Sequence, residues 1–290
     1  MERISFVAVV DLHLHTSHSD GSLTPPDLVN VCFERGLQII AISDHDTTEG
    51  IRESQKVAEP LGIEIVPSVE LGTRLGETEI HVLGYFINPD DVVFQEMLGN
   101  YRDAREVRAK NIVLQLNATG VPLSWEKVSD LAGFGSFGRP HIAHALVDLG
   151  YAKDIQEAFQ KYLGLGTQGY VPRDLNTPQQ AVRVIEENGG IAVIAHPLFT
   201  NSKLDRHDIP DLDDLIESLC DEGLKGLEVF YGDYTDGQIK RLLEICRKFQ
   251  LVPCGGSDYH AIGAQNEVLP GDVGPPMEHF SELRRLSNVV

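Results

Sequence analysis

Seven of the eleven histidines crowd into a few short stretches of this chain. His13, His15 and His18 lie in VDLHLHTSHSDG, His45 in SDHD, His81 alone in a strand-like run, His196 in AHP and His260 in GGSDYH. Carboxylates accompany them: Asp20, Asp44, Asp46, Glu70 and Asp258. Imidazole nitrogens and carboxylate oxygens, with no paired cysteines, suit Zn, Mn or Fe better than a cysteine-rich structural zinc knot. In a strand, side chains two apart share a face, so His13-x-His15 and Asp258-x-His260 each aim two ligands at one point. An HxH pair alone recurs by chance, and a single strand-end histidine is more often capped or solvated. The weight lies in the repetition, because five separate strands end this way, and the joint pattern is that of a polynuclear metal site. His18 and Asp46 fall in loops, as solvated groups or as contacts to a substrate. His144 and His279 read as surface or packing residues.

Strands and helices alternate so as to deliver these groups together. Strands are expected at Ser5–Val10, Gln38–Ser43, Ile63–Val69, Glu79–Ile87, Ile191–Ala195, Gly226–Phe230 and Leu251–Gly255. Thr24 followed by Pro25 is a cap-plus-proline helix start, and Gly36 ends that helix. Seven strands separated by helices predict a parallel α/β barrel or a doubly wound sheet, whose chemistry sits at the C-terminal strand ends. Between Pro89 and Arg173 the rhythm changes to helical patterns without a strand: Val92–Asn117, Ser124–Leu131, Pro140–Leu149 and Ile155–Tyr162. The chain therefore divides into a discontinuous barrel, residues 1–89 and 174–290, and a small helical insertion, residues 90–173. There is no Gly-rich nucleotide-binding fingerprint.

Composition limits the partners. The 290 residues are 42% apolar and 23% charged, enough for a large core without staples. Twenty-four basic against 44 acidic residues leave a net charge of −20. Such a surface repels long polyanions, so a protein that coats duplex nucleic acid is not expected. Cys32, Cys220, Cys246 and Cys254 lack CxxC spacing, and no apolar run suffices to span a membrane. A cytoplasmic protein without a membrane partner is the expectation; the oligomeric state is not encoded legibly.

Taken together and in this order, the motifs His13-Leu14-His15-Thr16-x-x-Ser19-Asp20-Gly21, Ser43-Asp44-His45-Asp46, Glu70, His81, Ala195-His196-Pro197 and Gly256-Ser257-Asp258-Tyr259-His260 resemble those of the PHP (polymerase and histidinol phosphatase) metallophosphoesterase superfamily. The resemblance implies an α/β fold, a distorted (β/α)7 barrel with a trinuclear site of two to three divalent ions (Mn, Zn or Fe). It implies the metal ligands His13, His15, Asp20, His45, Glu70, His81, His196, Asp258 and His260, with Glu70 bridging and Asp44 orienting a ligand histidine. An insertion carrying Gly138-Arg139-Pro140-His141-Ile142-Ala143 resembles the group that dephosphorylates nucleoside 3',5'-bisphosphates or trims short RNA from its 5' end. The resemblance implies that this insertion covers the active site. There Arg139 and His141 are expected on the substrate phosphate, with His18 a further candidate contact, since arginine offers a bidentate fork and the helix starting at Pro140 adds its N-terminal dipole. The alternative for Arg139 is a pairing with a nearby acid.

The implied reaction is hydrolysis of a phosphomonoester, or of a terminal phosphodiester in a short oligonucleotide, with water activated between two ions as nucleophile. Asp44, His141, His207 and water are all open as proton donors to the leaving oxygen. A small phosphorylated substrate is the expected partner. The rivals are a histidinol-phosphate phosphatase, whose members are expected to lack this insertion, a nuclease-type domain of DNA replication, and a non-catalytic metal-binding scaffold.

Overall fold

The computed structural model describes residues 8–76, 78–133, 135–172, 176–198, 211–232, 234–263 and 267–287. Seven strands, β1 (Val10–Leu14), β2 (Ile39–Ile42), β3 (Glu64–Leu75), β4 (Thr78–Tyr85), β5 (Ile191–Ile194), β6 (Gly226–Tyr231) and β7 (Val252–Gly256), form one sheet in sequence order. A parallel bridge from Leu14 to Tyr259 brings the first strand against the end of the last, so the sheet is nearly closed into a barrel. Helices α1 (Pro25–Glu34), α2 (Glu49–Leu61), α7 (Pro178–Glu187), α8 (Leu212–Cys220) and α9 (Asp236–Phe249) wrap it.

The sheet is mixed, which corrects the expectation of parallel strands. β4 runs antiparallel to both β3 and β5. Only two residues separate Leu75 from Thr78, and a parallel return needs a crossover of about a dozen residues or more, so only a hairpin is possible there. The reversal matters for chemistry. It places the start of β4, with Glu79 and His81, at the rim where the parallel strands end.

The first strand also differs from its predicted bounds of Ser5–Val10. It runs from Val10 to Leu14, so His13 lies in the ladder and His15 just beyond it. Asp11 and His13 interrupt the apolar pattern, yet both are fully buried. Residues 1–7 lie outside the described part.

Alternation splits the sheet's apolar residues into two layers. Ile40, Ile42, Val82 and Ile194 pack outward against Leu28, Ile51, Ile185 and Ile216 of the helices. Ile39, Ala41, Leu83, Val193 and Val252 form a second cluster, joined by Phe280 and Leu283 of α10 (Met277–Leu286), a helix the sequence pattern had not suggested.

The segment after β4 holds α3 (Val92–Ala118), α4 (Trp125–Ala132), α5 (Arg139–Asp148), α6 (Ile155–Ala158) and a π-helical turn, Phe159–Leu163. Phe94 and Leu98 at the start of α3 join the barrel's outer core. Its second half, with Ile112 and Leu116, belongs to a separate core with Val128, Ile142, Leu146 and Leu163. One helix thus belongs to both cores. No helix of the described residues is long and apolar enough to cross a membrane.

Candidate active site

Glu70, near the middle of β3 and buried, is the hub of the strand-end cluster. Its Oε2 lies 3.2 Å from His13 Nε2, 3.2 Å from His15 Nε2 and 3.1 Å from His45 Nδ1. Its Oε1 lies 2.7 Å from His81 Nδ1 and 3.0 Å from His196 Nε2. Asp258 Oδ1 stands 3.2 Å from His13 Nε2 and 3.1 Å from His15 Nε2. Asp20 closes the far side, with Oδ1 3.3 Å from His260 Nε2 and Oδ2 3.6 Å from His45 Nε2. All nine residues expected as ligands are brought together.

The donor atoms form three overlapping groups, each with its atoms within 4.8 Å of one another: His15–Asp20–His45–His260, His13–His15–Glu70–Asp258 and His45–Glu70–His81. Six of these atoms, His13 Nε2, His15 Nε2, Asp20 Oδ1, His45 Nδ1, Glu70 Oε2 and Asp258 Oδ1, are buried without hydrogen-bond geometry to any partner. Buried polar atoms are ordinarily satisfied. Six unsatisfied ones clustered in one place, all imidazole or carboxylate, fit divalent cations.

The field of the cluster is that of a cation trap. Burial would lower the His13 pKa, but the carboxylates of Asp258, Glu228 and Glu70 outweigh it and push it well above the ordinary value. Burial likewise opposes, and Asp20 and Asp258 overcome, in His260, which rises to about 10. His45 goes the other way, to about 3, because burial exceeds the pull of Glu70 and Asp20. Burial alone would raise Asp20, yet His45, His260 and His15 hold it well below the usual carboxylate range. A field that retains imidazolium protons in a buried space also retains metal cations.

Backbone strain sits at the same place. Asp46, His196 and Asp258 have φ of +53°, +26° and +54°, uncommon for residues with a Cβ. The loop carrying Asp20 is pinned from behind by Asp44, whose carboxylate accepts from Thr16 N at 2.7 Å, Thr16 Oγ1 at 2.6 Å and Ser19 Oγ at 2.6 Å. The Asp44 carboxylate reaches His15 through Ser19, whose Oγ is 3.4 Å from His15 Nδ1. It braces the loop and its oxygens are committed there.

A cleft of about 220 Å³ opens beside the cluster, lined by Asp20, His45, His81 and His260 on one side. Arg105 and Arg108 of α3 and Arg139 at the start of α5 line it too, with Phe137, Ile142 and Phe159. Glu79 pairs with both Arg108, at 2.7 Å, and Arg139. The expected alternative for Arg139, a neighbouring acid, is therefore present, although a guanidinium has five N–H donors and one pairing leaves others for a ligand. His141, expected on the substrate phosphate, is buried and, like His18, is not among the residues lining the cleft; its Nδ1 accepts the Gly138 N–H at 3.1 Å, so in the neutral ring Nε2 carries the proton. Burial lowers its pKa, which favours that neutral form.

The 135–138 loop is pressed against the 17–20 loop. Ser136 N donates to His18 O at 2.8 Å, and a Cβ on Gly138 would stand 3.2 Å from Asp20 Oδ2. His18 itself faces Glu49 and Glu53 of α2, at 3.6 and 3.7 Å, and is not among the residues lining the cleft. His279 stacks on Phe230 and His144 is half-buried in α5. His207 lies outside the described residues.

Sequence reasoning passed over Glu79, Arg105, Arg108, Glu228 and Tyr231. A signal existed for Glu228, a lone carboxylate amid the apolar run Leu227–Val229. For the arginines it was the three-residue spacing of Arg102, Arg105 and Arg108, which shares one helix face.

A near-closed α/β barrel with an imidazole–carboxylate cluster at its strand ends defines a metal-dependent hydrolase. The PHP domain model matches residues 11–188, and the chain belongs to the PHP family. It is 33% identical over 260 residues to the 5'-3' exoribonuclease Rnm of Salmonella typhimurium, covering 88% of this chain and 86% of that one. It is 30% identical over 285 residues to the 3',5'-nucleoside bisphosphate phosphatase of Chromobacterium violaceum, covering 96% and 93%. A crystal structure from Bifidobacterium adolescentis, assigned as a metal-dependent phosphoesterase, superposes with a TM-score of 0.87 at 29% identity over 96% of each chain. The protein is a metal-dependent phosphoesterase.

Proposed function

We propose that this phosphoesterase removes the 3'-phosphate of a nucleoside 3',5'-bisphosphate, or cleaves the terminal linkage of a short 5'-phosphorylated RNA, the former being its principal reaction. The observation that carries this is the adjacency of the cluster to three arginines in one cleft. Its volume of about 220 Å³ lies below the usual range for drug-sized sites, which suits one nucleotide unit better than an extended strand. Relatives named for the two reactions support both substrate types.

His13, His15, Asp20, His45, Glu70, His81, His196, Asp258 and His260 are the residues that would hold two or three divalent ions, of Mn, Zn or Fe. Divalent ions there supply Lewis acidity, making water nucleophilic near neutral pH and offsetting charge on the phosphoryl oxygens. The chain's own residues do the rest. Arg139, steadied by Glu79, presents N–H donors to phosphate oxygens as charge develops. His141 stands behind the lining residues with Nδ1 occupied by the Gly138 N–H, so the group it has left for a substrate is a neutral Nε2–H. Residues 90–173 act as a cover that contributes Arg105, Arg108 and Arg139 to the cleft and excludes water from it.

The test is a metal-reconstituted screen with a 3',5'-bisphosphonucleoside, short 5'-phosphorylated RNA and histidinol phosphate. The bisphosphate is expected to show the highest kcat/KM and to release the 3'-phosphate alone. Equal rates on all three, or preference for histidinol phosphate, refutes the assignment.

A further inference from the structure

The strand that donates no ligand holds three of the cluster's residues in place. Glu228 of β6 is fully buried, and both its oxygens are committed. Oε1 lies 3.0 Å from His13 Nδ1, and Oε2 accepts the backbone N–H of His196 at 2.6 Å. These two histidines come from β1 and the end of β5, which are not neighbours in the sheet, so no shared ladder sets their separation. Their rings nevertheless lie stacked, 5.8 Å apart and 17° from parallel. The Glu228 carboxylate is the common anchor.

Each contact has a definite consequence. A carboxylate can only accept, so Nδ1 of His13 keeps its proton, and Nε2, which faces Glu70 and Asp258, is the nitrogen that would hold an ion. At His196 the anchored N–H belongs to a residue with φ of +26°, a conformation that needs a local restraint. Tyr231, on the same strand, donates its hydroxyl to Asp258 Oδ2 at 2.9 Å, leaving Oδ1 to face the histidines.

A bulge explains how one strand serves both groups. Residues 228 and 231 would point to opposite faces of a regular strand. The β6–β7 register slips between Glu228 and Phe230, which pair with the consecutive residues Cys254 and Gly255. Leu227 and Val229 pack in the outer layer, and after the slip so does Phe230, which returns Tyr231 to the inner side with Glu228.

We propose that Glu228, assisted by Tyr231, is a positioning residue of the metal centre: it fixes the His13 tautomer and the His196 backbone so that both imidazoles present Nε2 to the same ion cluster. This rests on the cluster being a metal site. Glutamine has one acceptor oxygen and cannot serve both partners, so Glu228→Gln should fail where a role in packing alone would be spared.

The experiment strips the wild-type, Glu228→Gln and Tyr231→Phe proteins with a chelator and reloads them with zinc against a chromophoric competitor. Cobalt-loaded absorption spectra and melting curves of the metal-free proteins are recorded alongside. Zinc affinity should fall roughly 10- to 100-fold in Glu228→Gln, and less in Tyr231→Phe, with an altered cobalt spectrum. Wild-type zinc affinity and an unchanged cobalt spectrum in Glu228→Gln, even with a lowered melting temperature, overturn the proposal. Failure of the wild-type protein to bind zinc or cobalt overturns the metal site itself. Should Glu228→Gln not fold, nitrogen-15 histidine spectra of the zinc-loaded wild type decide. An exchange-protected His13 Nδ1–H is expected, and a His13 protonated at Nε2 refutes the assignment.

Discussion

Asp46 and Arg105 form an ion pair, buried at the aspartate, that joins the barrel rim to helix α3. Asp46 looked from its loop position like a solvated group or a substrate contact, yet it is fully buried with φ of +53°. Its other carboxylate oxygen accepts the Gly72 N–H at 3.2 Å, and its carbonyl accepts from Arg102 Nη1 at 3.1 Å. One residue therefore sets where Arg105 and the cleft face of α3 lie relative to the barrel rim.

Removing the charge from Asp46 leaves Arg105 facing the cleft without its counter-ion. Breaking a buried pair from one side costs about 3–5 kcal/mol, and part exposure of Arg105 places this one toward the lower end. Asp46→Asn should lower the melting temperature and raise KM for a phosphorylated substrate. An unchanged melting temperature together with unchanged KM would show that the pair does not position the helix.

Arg139 can be separated from its neighbours by substitution. Hydrogen bonds to charged groups are worth about 1.5–3 kcal/mol, or about 10- to 100-fold. Arg139→Ala should lower kcat/KM on a nucleotide substrate by that factor, while bound metal stays at wild-type stoichiometry. Arg139→Lys should recover only part, since an ammonium lacks the planar fork. Full activity in the alanine variant removes Arg139 from the phosphate site.

Much of this centre was legible because strand periodicity and residue chemistry act locally. His13-x-His15 declares its shared face within three residues, whereas Asp258 and His260 lie past the end of β7, Asp258 with φ of +54°, and were legible from residue chemistry alone. The reversal of β4 was hidden because alternation reads the same in either direction, although the brief gap around Gly76 contained the answer. Glu228 was missed for another reason: its partners His13 and His196 are 215 and 32 residues away, and nothing in its neighbourhood names them. Arg105 and Arg108 sit on a charge-rich helix where a cleft-facing cation looks like a solvated one. Pairwise chemistry between distant segments is what a sequence alone withholds.

Chelation should abolish activity and also destabilise the fold. Ions that bind the native state alone stabilise it by mass action, about 2.7 kcal/mol at a hundredfold excess over Kd. The melting temperature should drop on chelator treatment and recover on adding Mn, Zn or Fe(II), in step with activity. In Glu70→Ala the recovery should be lost, because both oxygens of the hub are gone. A chelator-treated protein with full activity would contradict the metal requirement.

Alkaline pH should weaken the fold through its buried thiols. Burial pushes the Cys246 pKa up to about 12, and those of Cys32 and Cys254 well above the ordinary value. These groups are neutral when folded, whereas the unfolded chain releases their protons near pH 9. Their contribution is therefore complete below about pH 9 and lost progressively as pH rises toward 12. Urea midpoints should fall across that window, and Cys246→Ser should flatten the fall. A midpoint independent of pH between 9 and 11 would show that these thiols do not stay buried.

Gly135 tests whether the 135–138 loop and the 17–20 loop must touch. A Cβ there would stand 2.6 Å from Ser17 O and 2.8 Å from Ser19 O, both backbone atoms that cannot turn aside. The clash would separate the 135–138 loop from the 17–20 loop, breaking the Ser136 N–His18 O hydrogen bond and displacing Asp20 and His141 relative to one another. Neither residue is itself altered, so any effect reports geometry. Gly135→Ala should lower kcat by roughly 10- to 100-fold, the scale expected when reacting groups are misplaced by about 1 Å. Metal content should fall less than activity, because Asp20 is one of nine residues proposed to hold the ions, whereas substrate alignment depends on both loops at once. Wild-type kcat in Gly135→Ala would mean the loops meet without consequence for the reaction.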